Sequence, residues 1–286
     1  MKVLKTIWGA ILAPFRWLGK VISAPFKKLA LFFTEEPDDS PVADSLQVAF
    51  DEPDSFLEHV GALRKHLLRS VIALILCAVV AFIFLPQLLE FISGPIDGLD
   101  QLTAVDVTEP ISVGMRVVLL AAFAISLPYI IFEVFLFVGP ALSRRARVIG
   151  LLSIPLVVIF FFGGMAFTYY LILPTGLPVL LNFLDLETQI RPSSYVRFTT
   201  GLMFWIGLVF EFPLLAYLLS AMRILTPGAL IKNWRIAVVI IAVVASLITP
   251  TIDPINMMLV MIPLIFLYAL SIALSFLARG RGRREE

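Results

Sequence analysis

The sequence predicts an all-helical protein that crosses a membrane six times and keeps both ends on the inner side. Three observations predict it. The 286 residues are 60% hydrophobic and only 15% charged, whereas soluble domains run to roughly half apolar and a quarter charged. The apolar excess is gathered into long runs, and about 20 such residues in a helix cross about 30 Å of hydrocarbon. With both ends placed inside, all of the 22 Lys and Arg except Arg116, Arg191 and Arg197 fall on the inner side, as the positive-inside bias requires. The runs are too long and too apolar for the alternating ten-residue strands of a membrane barrel.

Residues 1–33 mix Trp8, Phe15, Trp17, Phe26 and Phe32 with Lys2, Lys5, Arg16, Lys20, Lys27 and Lys28. Pro14 and Pro25 divide them into short helical pieces. Basic amphipathic helices with aromatic anchors lie in the membrane interface and bind anionic lipid. That is the expected role of this leader, with an unusual targeting segment or a poorly ordered tail as the alternatives. Residues 34–54 are acidic and carry Pro37, Pro41 and Pro53, the composition of a solvated, flexible linker.

A membrane domain is expected over 55–278. "SFLEHVGALRKHLLRS" (55–70) reads as an amphipathic helix capped by Asp54 or Ser55. Spans follow at about 70–89, 115–138, 149–172, 199–221, 236–250 and 255–277. The fifth lies between Arg235 and Pro250. It is marginal for a full bilayer, and such a span thins the lipid around it. Residues 279–286 form a charged inner tail.

Chemistry-bearing residues are few. Cys77 is the single cysteine, and His59 and His66 are the only histidines. A disulfide framework, a CxxC pair and an HExxH metal site are all excluded. No span carries a Ser/His pair or paired aspartates, so no enzyme, metal, cofactor or nucleic-acid partner is expected.

Glu211 sits alone in "GLVFEFPLLAYLL" (207–219). A charged group at mid-membrane costs about 2.5–3.5 kcal/mol on insertion scales. Pro213 removes a backbone donor and strains the turn before it. Three roles fit: a satisfied buried polar group, the proton site of a transporter, or a contact with another helix. A proton-coupled secondary transporter would use Glu211 and Glu133 as coupling acids. The chain lacks the internal repeat and matched broken helices of that class.

Several segments come in a familiar order: "FLEHVGALRKHL" (56–67), "SGPI" (93–96), "VTEPIS" (107–112), "LPYIIFEVFLFVGPALSRRAR" (127–147), "GGMAFTYYLILP" (163–174), "FEFPLLAYLL" (210–219) and "LITPTIDPINM" (247–257). Together they resemble the TatC component of the twin-arginine protein translocase, over about 55–277. The resemblance implies a six-helix, concave, glove-like fold with short fifth and sixth helices and both termini cytoplasmic. It implies a receptor in the cytoplasmic membrane, exporting folded proteins on the proton-motive force. It implies single-span TatA/TatB-type partners, twin-arginine signal peptides as ligands and a homo-oligomer within the complex.

On this resemblance Glu211, with Pro213, matches the transmembrane glutamate that meets a partner helix. Glu58, Arg64, Glu133 and Phe137 are the expected signal-peptide residues. Pro95, Glu109, Pro110, Pro250 and Asp253 stiffen the outer loops. Two positions depart from the family: its arginine-binding glutamates are replaced by Ala62 and Ala146. Glu58 stands one helical turn before Ala62, on the same face, and Glu133 is the nearest acid to the second loss. Structural roles remain open for both, as a solvated cap residue and a buried polar group. The departures also fit a diverged paralogue with altered signal recognition. Arg144, Arg145 and Arg147 read as a positive-inside anchor.

Overall fold

The computed structural model describes residues 53–139, 144–181, 190–221, 224–248 and 254–282. The expected leader and nearly all of the linker lie outside them, as do Pro250 and Asp253. In order the helices are α1 (Pro53–Ile83), α2 (Leu85–Ser93), α3 (Glu109–Val138), α4 (Arg144–Phe167), α5 (Leu173–Leu181), α6 (Pro192–Phe210), α7 (Phe212–Ala221), α8 (Pro227–Lys232), α9 (Trp234–Ile248) and α10 (Pro254–Gly282). Among the described residues the one strand-like feature is an isolated bridge between Leu102 and Ile190. The described part of the chain is therefore all-helical.

Five stretches are long and apolar enough to cross a membrane: Val60–Ile83, Glu109–Val138, Arg147–Pro178, Pro192–Ala221 and Met257–Ala278. The remaining apolar helix, α9, has 15 residues and is about 22 Å long at 1.5 Å per residue. The sixth span has the shortest of the five apolar windows, 22 residues, although α10 itself runs for 29.

Several boundaries differ from the sequence reading, mostly at prolines. The first span ends at Ile83 rather than 89, because Pro86 begins a new helix after a turn at Phe84. It also starts earlier: the amphipathic lead-in and the span are a single helix, α1. The third continues past 172 through a π turn over Thr168–Ile172. Pro174 has no N–H to give the carbonyl four residues back. One residue on, the Thr175 hydroxyl donates to Leu171 O at 2.6 Å, a side-chain bond of the kind that supports altered helical backbone in lipid. The fourth span begins at Pro192, with Pro at the first helical position.

The chain divides into two compact units. The first holds residues up to Ala73 together with Tyr129–Leu151; the second holds Leu74–Pro128 and Leu152–Glu286. In the first unit, α3 and α4 pack closely: a Cβ on Gly150 would stand 2.2 Å from the Phe135 ring. Arg147 is buried and donates from Nε to Gly139 O at 2.8 Å, closing the end of α3. In the second unit the core runs through Ile92, Val117, Leu173, Leu202, Ile206 and Val260. Here α4 and α6 approach at backbone distance: a Cβ on Gly164 would lie 2.8 Å from Gly207 Cα and 3.0 Å from Ile206 O. Only hydrogen fits there.

Candidate functional site

Among the described side chains three carboxylates are buried, and their surroundings differ. In the first unit Glu133 has 0% exposure. It lies on α3, one turn after Tyr129 and one before Phe137. Tyr129 Oη donates to its Oε1 at 2.7 Å. His66 Nδ1, on α1, stands 2.6 Å from Oε2, and Arg69 Nη1 is 3.8 Å from the same oxygen. The His66 and Phe137 rings lie 6.1 Å apart at 60°. Thus Glu133 and Phe137, both expected at a signal-peptide site, are brought together. Arg64 is exposed and projects from another face of α1, two residues and 200° away from His66. Glu58 lies within α1, but its side chain, like that of Ala146, falls outside the described ones.

His66 and Arg69 were missed. A usable signal existed in the spacing: Ala62, His66, Arg69 and Ala73 fall on one helical face, and the structure places all four among the less exposed positions of this stretch of α1. Spacing alone does not reveal which distant acid that face meets.

In the second unit Glu211 occupies the turn between α6 and α7. Its N–H donates to Leu208 O at 3.2 Å and its carbonyl accepts from Leu215 N at 2.9 Å. Pro213, itself buried, removes the donor that Val209 O would have had. The residue is 7% exposed. The Phe161 backbone lies beside the carboxyl group, yet Oε1 has no hydrogen-bond partner among the described residues. Buried polar atoms are normally satisfied, and an unpartnered one costs about 1–3 kcal/mol.

The third acid, Glu109, opens α3 and ties an outer loop to α6. Its Oε2 accepts from Val105 N at 3.0 Å. Its Oε1 accepts from Ser193 Oγ at 2.7 Å and pairs with Arg191 at 3.1 Å. Pro110 follows at the second helical position, and Pro95 sits in a 3-10 turn over Gly94–Ile96. Two tyrosines secure the same region. Tyr169 Oη donates to Phe91 O and Tyr195 Oη to Ile92 O, both at 2.6 Å. These add side-chain donors to carbonyls at the end of α2, where Phe91 O also accepts from the Gly94 N–H. A Cβ on Gly94 would lie 2.5 Å from the Tyr169 hydroxyl oxygen, so a larger residue there displaces that hydroxyl. An apolar cavity of about 210 Å³ opens among Leu89, Ile92, Leu102, Val113, Pro192 and Tyr195.

Comparison with known proteins fits this arrangement. The family model described as Sec-independent protein translocase protein (TatC) matches residues 58–263. The TatC protein of Koribacter versatilis is 31% identical over 239 residues, covering 81% of this chain and 88% of that protein. That of Deinococcus radiodurans is 32% identical, covering 80% and 88%. The TatCd protein of Bacillus subtilis is 31% identical, covering 80% and 94%. A crystal structure of a twin-arginine translocase receptor, TatC, superposes with a TM-score of 0.69 at 28% identity, covering 77% of this chain and 99% of that one. The same receptor in detergent gives 0.68 at 29% identity, covering 76% and 99%.

Proposed function

We propose that this chain, which belongs to the TatC family of Sec-independent protein translocase proteins, is the signal-peptide receptor and assembly core of a twin-arginine translocase. It is a multi-pass membrane protein of a family that performs no covalent chemistry. In this reading it sits in the cytoplasmic membrane with both ends inside. It engages folded precursors through their twin-arginine signals, and export is driven by the proton-motive force. Single-span TatA/TatB-type proteins are its partners, it forms homo-oligomers within the complex, and its leader holds anionic lipid.

One observation supports this most directly: Glu211 Oε1 is buried in an apolar span without a partner. A lone chain bearing that atom carries a desolvation cost that a polar side chain from a second helix would remove. A transmembrane segment with one hydroxyl or amide at the matching depth supplies what is missing. The test is substitution of Glu211 by Ala in cells. Membrane insertion should remain normal, co-purification of the single-span partners should be lost, and export of twin-arginine precursors should stop. Normal export by that variant would refute the reading.

A further inference from the structure

We infer that Glu133 is an arginine acceptor already occupied by the chain's own cations, and that a signal peptide binds by displacing His66 and Arg69 from it. The inference rests on the receptor reading above.

Glu133 is the only carboxylate among the described side chains of the first unit. The other charged or titratable groups there are Arg64, Lys65, His66, Arg69, Tyr129 and Arg147. Arg64 and Lys65 are exposed, and Arg147 reaches Gly139 O. An arginine arriving on this unit therefore has one described acid to pair with. That acid is fully buried, but its cover is thin. The His66 side chain is 21% exposed and that of Arg69 29%. The His66 ring makes a single hydrogen bond, to Glu133, beside its packing on Phe137, and Arg69 at 3.8 Å is beyond hydrogen-bond reach.

An incoming guanidinium offers a planar fork of parallel N–H donors and a permanent charge. It replaces one imidazole contact and one loose ion pair with two short charge-assisted bonds. Tyr129 need not move, since a carboxylate has about four lone-pair sites. The path also follows from sequence. Ala62 precedes His66 by one turn, and helical side chains lean toward the N-terminus. A methyl at 62 is too short to cover the neighbouring side of His66 as a longer side chain there could. Lysine, a point charge without the fork, gains less from the exchange. His66 and Arg69 thus act as specificity residues: a ligand must outcompete them, and a guanidinium does so better than an ammonium.

The experiment measures binding of a fluorescent twin-arginine signal peptide, and of its twin-lysine counterpart, to the full-length protein in lipid nanodiscs. Removing the competitor in His66→Ala should tighten twin-arginine binding by about tenfold, the equivalent of one modest charge-assisted hydrogen bond. It should change twin-lysine binding much less. Glu133→Gln should lower twin-arginine affinity to that of the lysine peptide. Unchanged or weaker twin-arginine binding by His66→Ala overturns the exchange, as does a preserved arginine-to-lysine ratio in Glu133→Gln. The His66→Ala arm decides alone if Glu133→Gln does not elute as folded protein. Failure of the wild-type chain to separate the two peptides removes the receptor reading itself, an outcome distinct from the other two.

Discussion

Glu133 and Glu211 are both carboxylates set in apolar helices, and both are almost fully shielded from solvent. They differ in company. Glu133 has a phenol on one oxygen and an imidazole on the other, with a guanidinium close by. Glu211 has an oxygen with no partner among the described residues. Burial alone therefore says little about a membrane acid. An acid whose oxygens are occupied contributes to folding of its own chain, and one left open is completed from outside.

The sharpest way to break this contrast is to truncate each acid and compare stability. Glu133→Ala leaves His66, Arg69 and Tyr129 without their common acceptor. His66 and Arg69 are partly exposed, so the cost is that of the lost charge-assisted hydrogen bonds, about 1.5–3 kcal/mol each. The thermal midpoint of the purified protein should fall steeply. Glu211→Ala deletes an unsatisfied group, so the midpoint of the isolated chain should hold or rise even though assembly is lost. Equal losses in the two variants would end the distinction.

A smaller effect sharpens it. Gly164 and Gly207 let α4 lie against α6 one turn from Glu211. The Gly164→Ala methyl meets backbone atoms rather than a movable side-chain tip, and such overpacking costs about 1–3 kcal/mol. The expected result is a lower thermal midpoint together with weaker partner co-purification, because the carboxyl group is displaced. A drop in stability with full assembly would show that the glycine contact does not position the acid.

The smallest effect concerns the satisfied outer acid. Arg191 is 51% exposed, and exposed ion pairs contribute about 0–1 kcal/mol. Arg191→Ala should barely move the midpoint. Glu109→Ala should lower it more, because the Val105 N–H and the Ser193 hydroxyl lose their acceptor. Equal effects would mean that the ion pair, and not those two donors, holds the loop.

Much of this was legible in the residues. Hydropathy located all six apolar helices, and the weak fifth was visible in the short interval between Arg235 and Pro250. Glu211 stood out because a lone acid has nowhere to hide in an apolar run. What remained hidden depends on long-range pairing. Glu133 and His66 are 67 positions apart, and helical periodicity gives a face without naming its neighbour. Likewise Tyr169 and Tyr195 read as ordinary span residues, and their capping of α2 became evident only when the chain was folded. Prolines were an uneven guide. Pro86, Pro174 and Pro213 accompany breaks or altered turns, whereas Pro128, Pro155 and Pro263 lie inside continuous helices.

At about 22 Å, α9 is roughly 8 Å shorter than a typical hydrocarbon core. As the fifth span of the proposed receptor it would make bordering acyl chains shorten, splay or tilt, so the lipid beside it would be partly deformed before any cargo arrives. The work of opening a path through the bilayer is least where the sheet of lipid is thinnest, which gives a helix of 15 residues a purpose that a longer one would forfeit.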